Sequence, residues 1–141
     1  MNLNLEEVFA KVRAQEDPVL GYVYDAPIHY IVLNNNDNTV TMPWITKFIA
    51  IIDKIEATTG PGCVVTIGTG KHFSTGFDIN AWIADPFNYF NSLDYFVKLL
   101  VRLMTIQLPS MAVFNGNAMA GGFFMGCCHD FRIMNAKMGR V

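Results

Sequence analysis

The sequence predicts an α/β fold in one domain, with strands and helices alternating along the chain. Apolar runs of strand length (residues 19–24, 28–33, 63–67 and 110–114) alternate with segments whose apolar residues recur at helical spacing. Turn residues stand at the junctions: Asp25-Ala26-Pro27, Gly60-Pro61-Gly62 and Asn115-Gly116. Hydrophobic residues make up 52% of the 141, and only 16% are charged. That composition supports a substantial core and leaves more apolar surface than a solitary small domain needs.

The elements follow in order. Residues 2–15 form an amphipathic helix with Leu5, Val8, Phe9 and Val12 on one face, ended by Asp17-Pro18. Residues 1–18 are thus a helical extension to a domain over 19–141. Two strands, 19–24 and 28–33, make a hairpin, and 34–38 is a polar turn. Thr41 or Met42 caps a helix that has Pro43 in its first turn and the face Ile45, Phe48, Ile52, Ile55. A short strand, 63–67, completes a β-β-α-β succession. One or two helical turns follow over 78–84. Asp85-Pro86 then starts a long helix to about residue 107, whose stripe Leu93, Phe96, Val97, Leu100, Val101, Met104 reads as a core face. Strand 110–114, an uncharged and therefore buried helix over 119–128, and strand 130–134 complete the chain.

The net charge of −2 gives no electrostatic footprint for nucleic acid or an anionic membrane. No apolar run approaches the length of a membrane span, and the first residues lack a signal or transit pattern. Three cysteines, Cys127 and Cys128 being adjacent, argue against a disulfide framework and for an intracellular setting.

Several motifs fail on inspection. Gly68-Thr69-Gly70-Lys71-His72 is not a P-loop, because Val65 and His72 stand where Gly and Ser or Thr are needed. It is not a dinucleotide fingerprint, because Phe73 stands where the third Gly belongs. Cys127-Cys128-His129-Asp130 has no second ligand cluster, so no metal is expected. A hydrolase triad of Ser74, His129 and Asp130 lacks the nucleophile elbow. Asp78, just before a helical turn, reads as a cap more readily than as an acid or base.

Two stretches remain: Lys71-His72-Phe73-Ser74-Thr75-Gly76-Phe77-Asp78-Ile79 and Asn115-Gly116-Asn117-Ala118-Met119-Ala120-Gly121-Gly122. Each reads as a strand, a Gly-containing turn and a helix start, where backbone N–H groups are left unpaired at the positive end of the helix dipole. Two such junctions that converge can stabilise negative charge on a substrate carbonyl oxygen. These residues, followed by His129-Asp130-Phe131, resemble the crotonase (enoyl-CoA hydratase/isomerase) superfamily, and within it the plant-type Δ3,Δ2-enoyl-CoA isomerases. The resemblance implies a crotonase-like spiral of ββα units, incomplete here because the family's C-terminal helical part is absent. It also implies an oxyanion hole from the backbone N–H groups of Thr75 and Gly121. Phe73, Ser74, Gly76, Phe77, Asp78, Ile79, Ala120, Gly122 and Phe124 would border an acyl-CoA, with coenzyme A part of the substrate and no separate cofactor.

The match breaks at Phe124, which stands where hydratases of the family carry a catalytic glutamate. The resemblance therefore implies a one-base double-bond shift in unsaturated fatty acyl-CoA, with the base expected beyond Val141. It further implies a homo-oligomer, a trimer in the family, in peroxisome or mitochondrion. The alternative is a non-catalytic crotonase-fold subunit of a larger assembly.

Overall fold

The computed structural model describes residues 3–141. Met1 and Asn2 lie outside the described residues, and with them the expected start of the first helix at Asn2. Helix α1 (Leu5–Arg13) starts with a reciprocal cap: Asn4 accepts from the Glu7 N–H, and the Glu7 carboxylate accepts from the Asn4 N–H. Strands β1 (Leu20–Asp25) and β2 (Ile28–Leu33) form the expected antiparallel hairpin. After the two-residue strand β3 (Thr39–Val40), helix α2 (Met42–Glu56) is capped by the Thr41 hydroxyl. Strand β4 (Cys63–Gly68) then runs parallel to β2.

Two short strands, β5 (His72–Ser74) and β6 (Gly76–Phe77), lead into α3 (Ile79–Ala84) and α4 (Pro86–Thr105). Strand β7 (Ser110–Phe114), the short β8 (Asn117–Ala118), helix α5 (Gly121–Cys127) and β9 (Phe131–Met134) complete the chain. The main sheet has the order β1-β2-β4-β7-β9, parallel from β2 onward. Pairs β3–β6 and β5–β8 form separate parallel ladders that tie the turns together.

Strand β2 is buried on both faces, as a central parallel strand must be. Ile31 and Leu33 pack with Ile45, Phe48 and Ile52 of α2, while Tyr30 and Val32 pack with Val8 and Val12 of α1 on the other face. Along α4 the structure corrects the expected stripe. Ser92, Phe96, Leu99 and Leu103 are buried, whereas Val97, Val101 and Met104 are more than half exposed. Apolar residues cover much of the circumference of α4, so contact with α2 and α5 selects the buried face and sequence spacing does not.

Candidate active site

The two junctions do converge, with a geometry that differs from the expected one at one residue. Ala120 has φ 45° and ψ −122°, and the Gly122 N–H donates to Met119 O at 2.8 Å. This is a II′-type turn with Ala120 at its first corner, a position that usually takes glycine. The turn inverts the 120–121 peptide and presents the Gly121 N–H beside the other junction. A Cβ built on Gly76 would lie 2.9 Å from Gly121 N. Gly76 therefore serves twice: it adopts φ 87°, and it leaves the Gly121 donor uncovered. Among the described residues, the Gly121 N–H donates to no backbone carbonyl.

Thr75 does not fill the expected role. Its N–H donates to Asp37 O at 3.0 Å, and its hydroxyl donates to the same oxygen at 3.2 Å. The Gly76 N–H is also engaged, by Ser74 Oγ at 3.1 Å. The Asp78 N–H donates to Val40 O at 3.4 Å. Thr75 and Asp78 thus both donate toward the 37–40 segment, although residues an odd number apart on a regular strand point to opposite edges. The positive φ of Gly76 reverses the alternation between them. Phe77, immediately before Asp78, consequently aims its N–H away from β3.

Beside these turns lies a cavity of about 460 Å³, lined by Thr75, Phe77, Ile79, Ala120, Gly121 and Phe124 from the expected set. Helices α3 and α4 add Trp82, Tyr89, Leu93, Phe96, Val97 and Leu100. None of the lining residues carries a carboxylate, an imidazole or an amine. Trp82 stacks on Tyr89 with ring centroids 4.8 Å apart, and Phe77 stands edge-on to Tyr89 and Phe96. A separate cleft of about 560 Å³ between the C-terminal ends of α2 and α4 shares no lining residue with it.

The other expected binding residues are structural. Phe73 and Ser74 are fully buried, and Phe73 packs edge-on against Phe114. Gly122 is buried against Ser74: a Cβ there would lie 2.5 Å from the Ser74 Cβ. Asp78 caps α3, accepting from the Asn80 and Ala81 N–H groups at 2.9 and 3.2 Å. It borders a smaller adjoining space of about 160 Å³ that shares Phe77, Trp82 and Tyr89 with the main cavity.

No triad forms from Ser74, His129 and Asp130, because each has other partners. Ser74 Oγ donates to Asn38 O at 2.7 Å. His129 is buried; its Nδ1 must donate to Met125 O at 3.0 Å, a carbonyl being acceptor only, so its Nε2 accepts from the Thr66 hydroxyl at 2.8 Å. Burial pushes the His129 imidazole down to about 4, outweighing the hydrogen bond to Met125, and both ring nitrogens are occupied. Asp130 accepts from the Ser110 N–H and hydroxyl, which lower its carboxyl below the usual value.

The sequence matches the enoyl-CoA hydratase/isomerase family profile over residues 24–139. The chain belongs to the enoyl-CoA hydratase/isomerase family. It is 28% identical over 101 residues to enoyl-CoA delta isomerase 3 of Arabidopsis thaliana, covering 67% of this chain and 42% of that protein. To a probable enoyl-CoA hydratase of Mycobacterium tuberculosis it is 32% identical over 128 residues, covering 85% of this chain and 48% of the relative. A solved structure from Pseudomonas aeruginosa superposes with a TM-score of 0.82 at 25% identity, over 90% of this chain and 57% of that one. The chain thus spans less than half the length of these two sequence relatives, and it carries the crotonase fold.

Proposed function

We propose that the cavity binds the acyl part of an acyl-CoA, and that the Gly121 and Phe77 N–H groups receive the thioester oxygen. The inverted 120–121 peptide at the cavity mouth carries this reading. Removing a proton alpha to a thioester places negative charge on that oxygen, and two aimed amide donors stabilise it where it develops. The apolar lining suits a fatty acyl chain, and a chain seated there would displace water and strengthen those hydrogen bonds.

The reaction we infer is the Δ3 to Δ2 shift of a double bond in unsaturated fatty acyl-CoA. One base takes a proton from the alpha carbon and returns it at the gamma carbon. Phe124, more than half exposed at the cavity, leaves the glutamate position of hydratases apolar, which supports isomerisation over water addition. In this reading the base is a carboxylate from outside the lining residues, and coenzyme A enters only as part of the substrate. Relatives named as peroxisomal and mitochondrial isomerases support placement in one of those compartments.

The test is turnover of a 3-enoyl-CoA to the conjugated 2-enoyl-CoA, followed by ultraviolet absorbance, beside hydration of a 2-enoyl-CoA. Isomerisation without hydration supports the reading, and hydration alone refutes it. Gly121→Pro removes one donor and should abolish turnover, while Gly121→Ala, whose Cβ would meet Phe77 and Phe96 at 3.4–3.5 Å, should retain it.

A second reading rests on the apolar exterior. Phe87 and Phe90 on α4 and every residue of β9 are exposed, including Phe131 and Ile133. Surfaces of this kind pack against further polypeptide. They support a homo-oligomer, a trimer by family resemblance, and equally a non-catalytic subunit of a larger assembly. Acyl-CoA binding without turnover in the native assembly would favour the subunit.

A further inference from the structure

Ser74 is fully buried and has no surface for a ligand, yet it touches both donor segments. Its carbonyl accepts from the Met119 N–H at 2.9 Å, and Met119 opens the turn that inverts the 120–121 peptide. Its hydroxyl accepts from the Gly76 N–H at 3.1 Å and donates to Asn38 O at 2.7 Å. That carbonyl is itself anchored. Asn38 is fully buried at φ 50°, its Nδ2 donates to His72 O at 3.0 Å, and its Oδ1 accepts from the Asn35 N–H at 2.7 Å.

Gly76 is the residue of this loop with the most backbone freedom, and the peptide after it sets the direction of the Phe77 N–H. One hydroxyl ties Gly76 to a fixed carbonyl. We propose that Ser74 is a positioning residue: its hydroxyl aims the Phe77 N–H into the oxyanion hole, and its carbonyl holds the turn that aims Gly121. The proposal rests on the oxyanion reading above. Ser74→Ala deletes the hydroxyl and keeps the carbonyl, so it disturbs the Phe77 donor and spares the Gly121 one.

A 3-ketoacyl-CoA tests the hole directly. Its alpha C–H loses a proton to the buffer, and the electron pair left behind spreads onto the oxygens as an enolate that absorbs in the near ultraviolet. Wild type should raise the enolate fraction of the bound probe, and Ser74→Ala should lower that fraction about tenfold at a given pH, short of the loss from deleting a donor outright. Affinity for a saturated acyl-CoA should stay within about twofold, because ground-state binding lies in the cavity. Phe73→Leu, a neighbouring buried change that only destabilises, should leave the enolate fraction as in wild type.

Equal enolate fractions for Ser74→Ala and wild type overturn the positioning role and leave the oxyanion reading standing. No enolate gain in wild type overturns both. Should Ser74→Ala fail to fold, amide exchange on the wild type decides. The Gly76 amide should exchange slowly before ligand is added, and the Phe77 amide should slow when the ketoacyl-CoA binds. Free exchange at Gly76, or no slowing at Phe77, overturns the proposal.

Discussion

Acidification should destabilise the fold through His129. The imidazole is about 4 in the folded state against 6.5 for an exposed histidine, because burial opposes the charged form. The unfolded chain therefore binds more protons through this window. The contribution is complete above pH 6.5 and is lost as pH falls toward 4. That interval corresponds to about 3 kcal/mol, a large part of a small domain's stability. Urea unfolding at pH 7 and at pH 4, on wild type and His129→Gln, isolates the effect, since the groups the two proteins share cancel in the difference. His129→Gln should be the less stable at pH 7, by about 1–3 kcal/mol, because Thr66 and Met125 lose their partner. By pH 4 the gap should close or reverse. A gap that stays constant from pH 7 to pH 4 would refute the buried neutral imidazole.

Thr66→Val leaves His129 Nε2 buried without a donor and should cost about 1–3 kcal/mol in urea unfolding at pH 7. Gly122→Ala drives a methyl against Ser74 and should cost about 1–3 kcal/mol or prevent folding, read by circular dichroism and melting. Ala120→Gly relieves a positive φ and should stabilise by about 0.5–1 kcal/mol, since the strain of an L residue there exceeds the added backbone entropy of glycine. Trp82→Ala removes the ring stacked on Tyr89 and should weaken binding of a long-chain acyl-CoA up to about tenfold while leaving free coenzyme A unaffected, measured by calorimetry.

The main sheet and α2 were legible because their signals are local. Ile28–Leu33 is apolar apart from His29, and Thr41 with Pro43 marks a helix start that tertiary contacts leave in place. The short pairs β3–β6 and β5–β8 were not, since strands this short are defined by partners far along the chain. The site was half legible. Glycines at 76 and 121 mark the junctions, but the donor at Thr75 came from the resemblance alone, and its N–H is taken by Asp37 O, a partner 38 residues away that no local pattern reveals. The α4 wall of the cavity lies within the same apolar stripe: Leu93, Val97 and Leu100 line the cavity, and apolar spacing alone does not separate a cavity wall from a core face.

The two donor groups of the proposed hole are backbone N–H groups whose directions depend on contacts distant in sequence. Asp37 O and Asn38 O, in the turn before β3, take the Thr75 N–H and the Ser74 hydroxyl respectively, and Ser74 O takes the Met119 N–H. A substitution in the 34–38 turn can therefore misdirect a donor without touching the cavity. The Thr75 hydroxyl is dispensable for the loop, because it only repeats the contact that the Thr75 N–H makes to Asp37 O. The least replaceable residues should be those with no functional atom in the site: Gly76, where any side chain would cover the Gly121 N–H, and Gly122, where any side chain would displace Ser74.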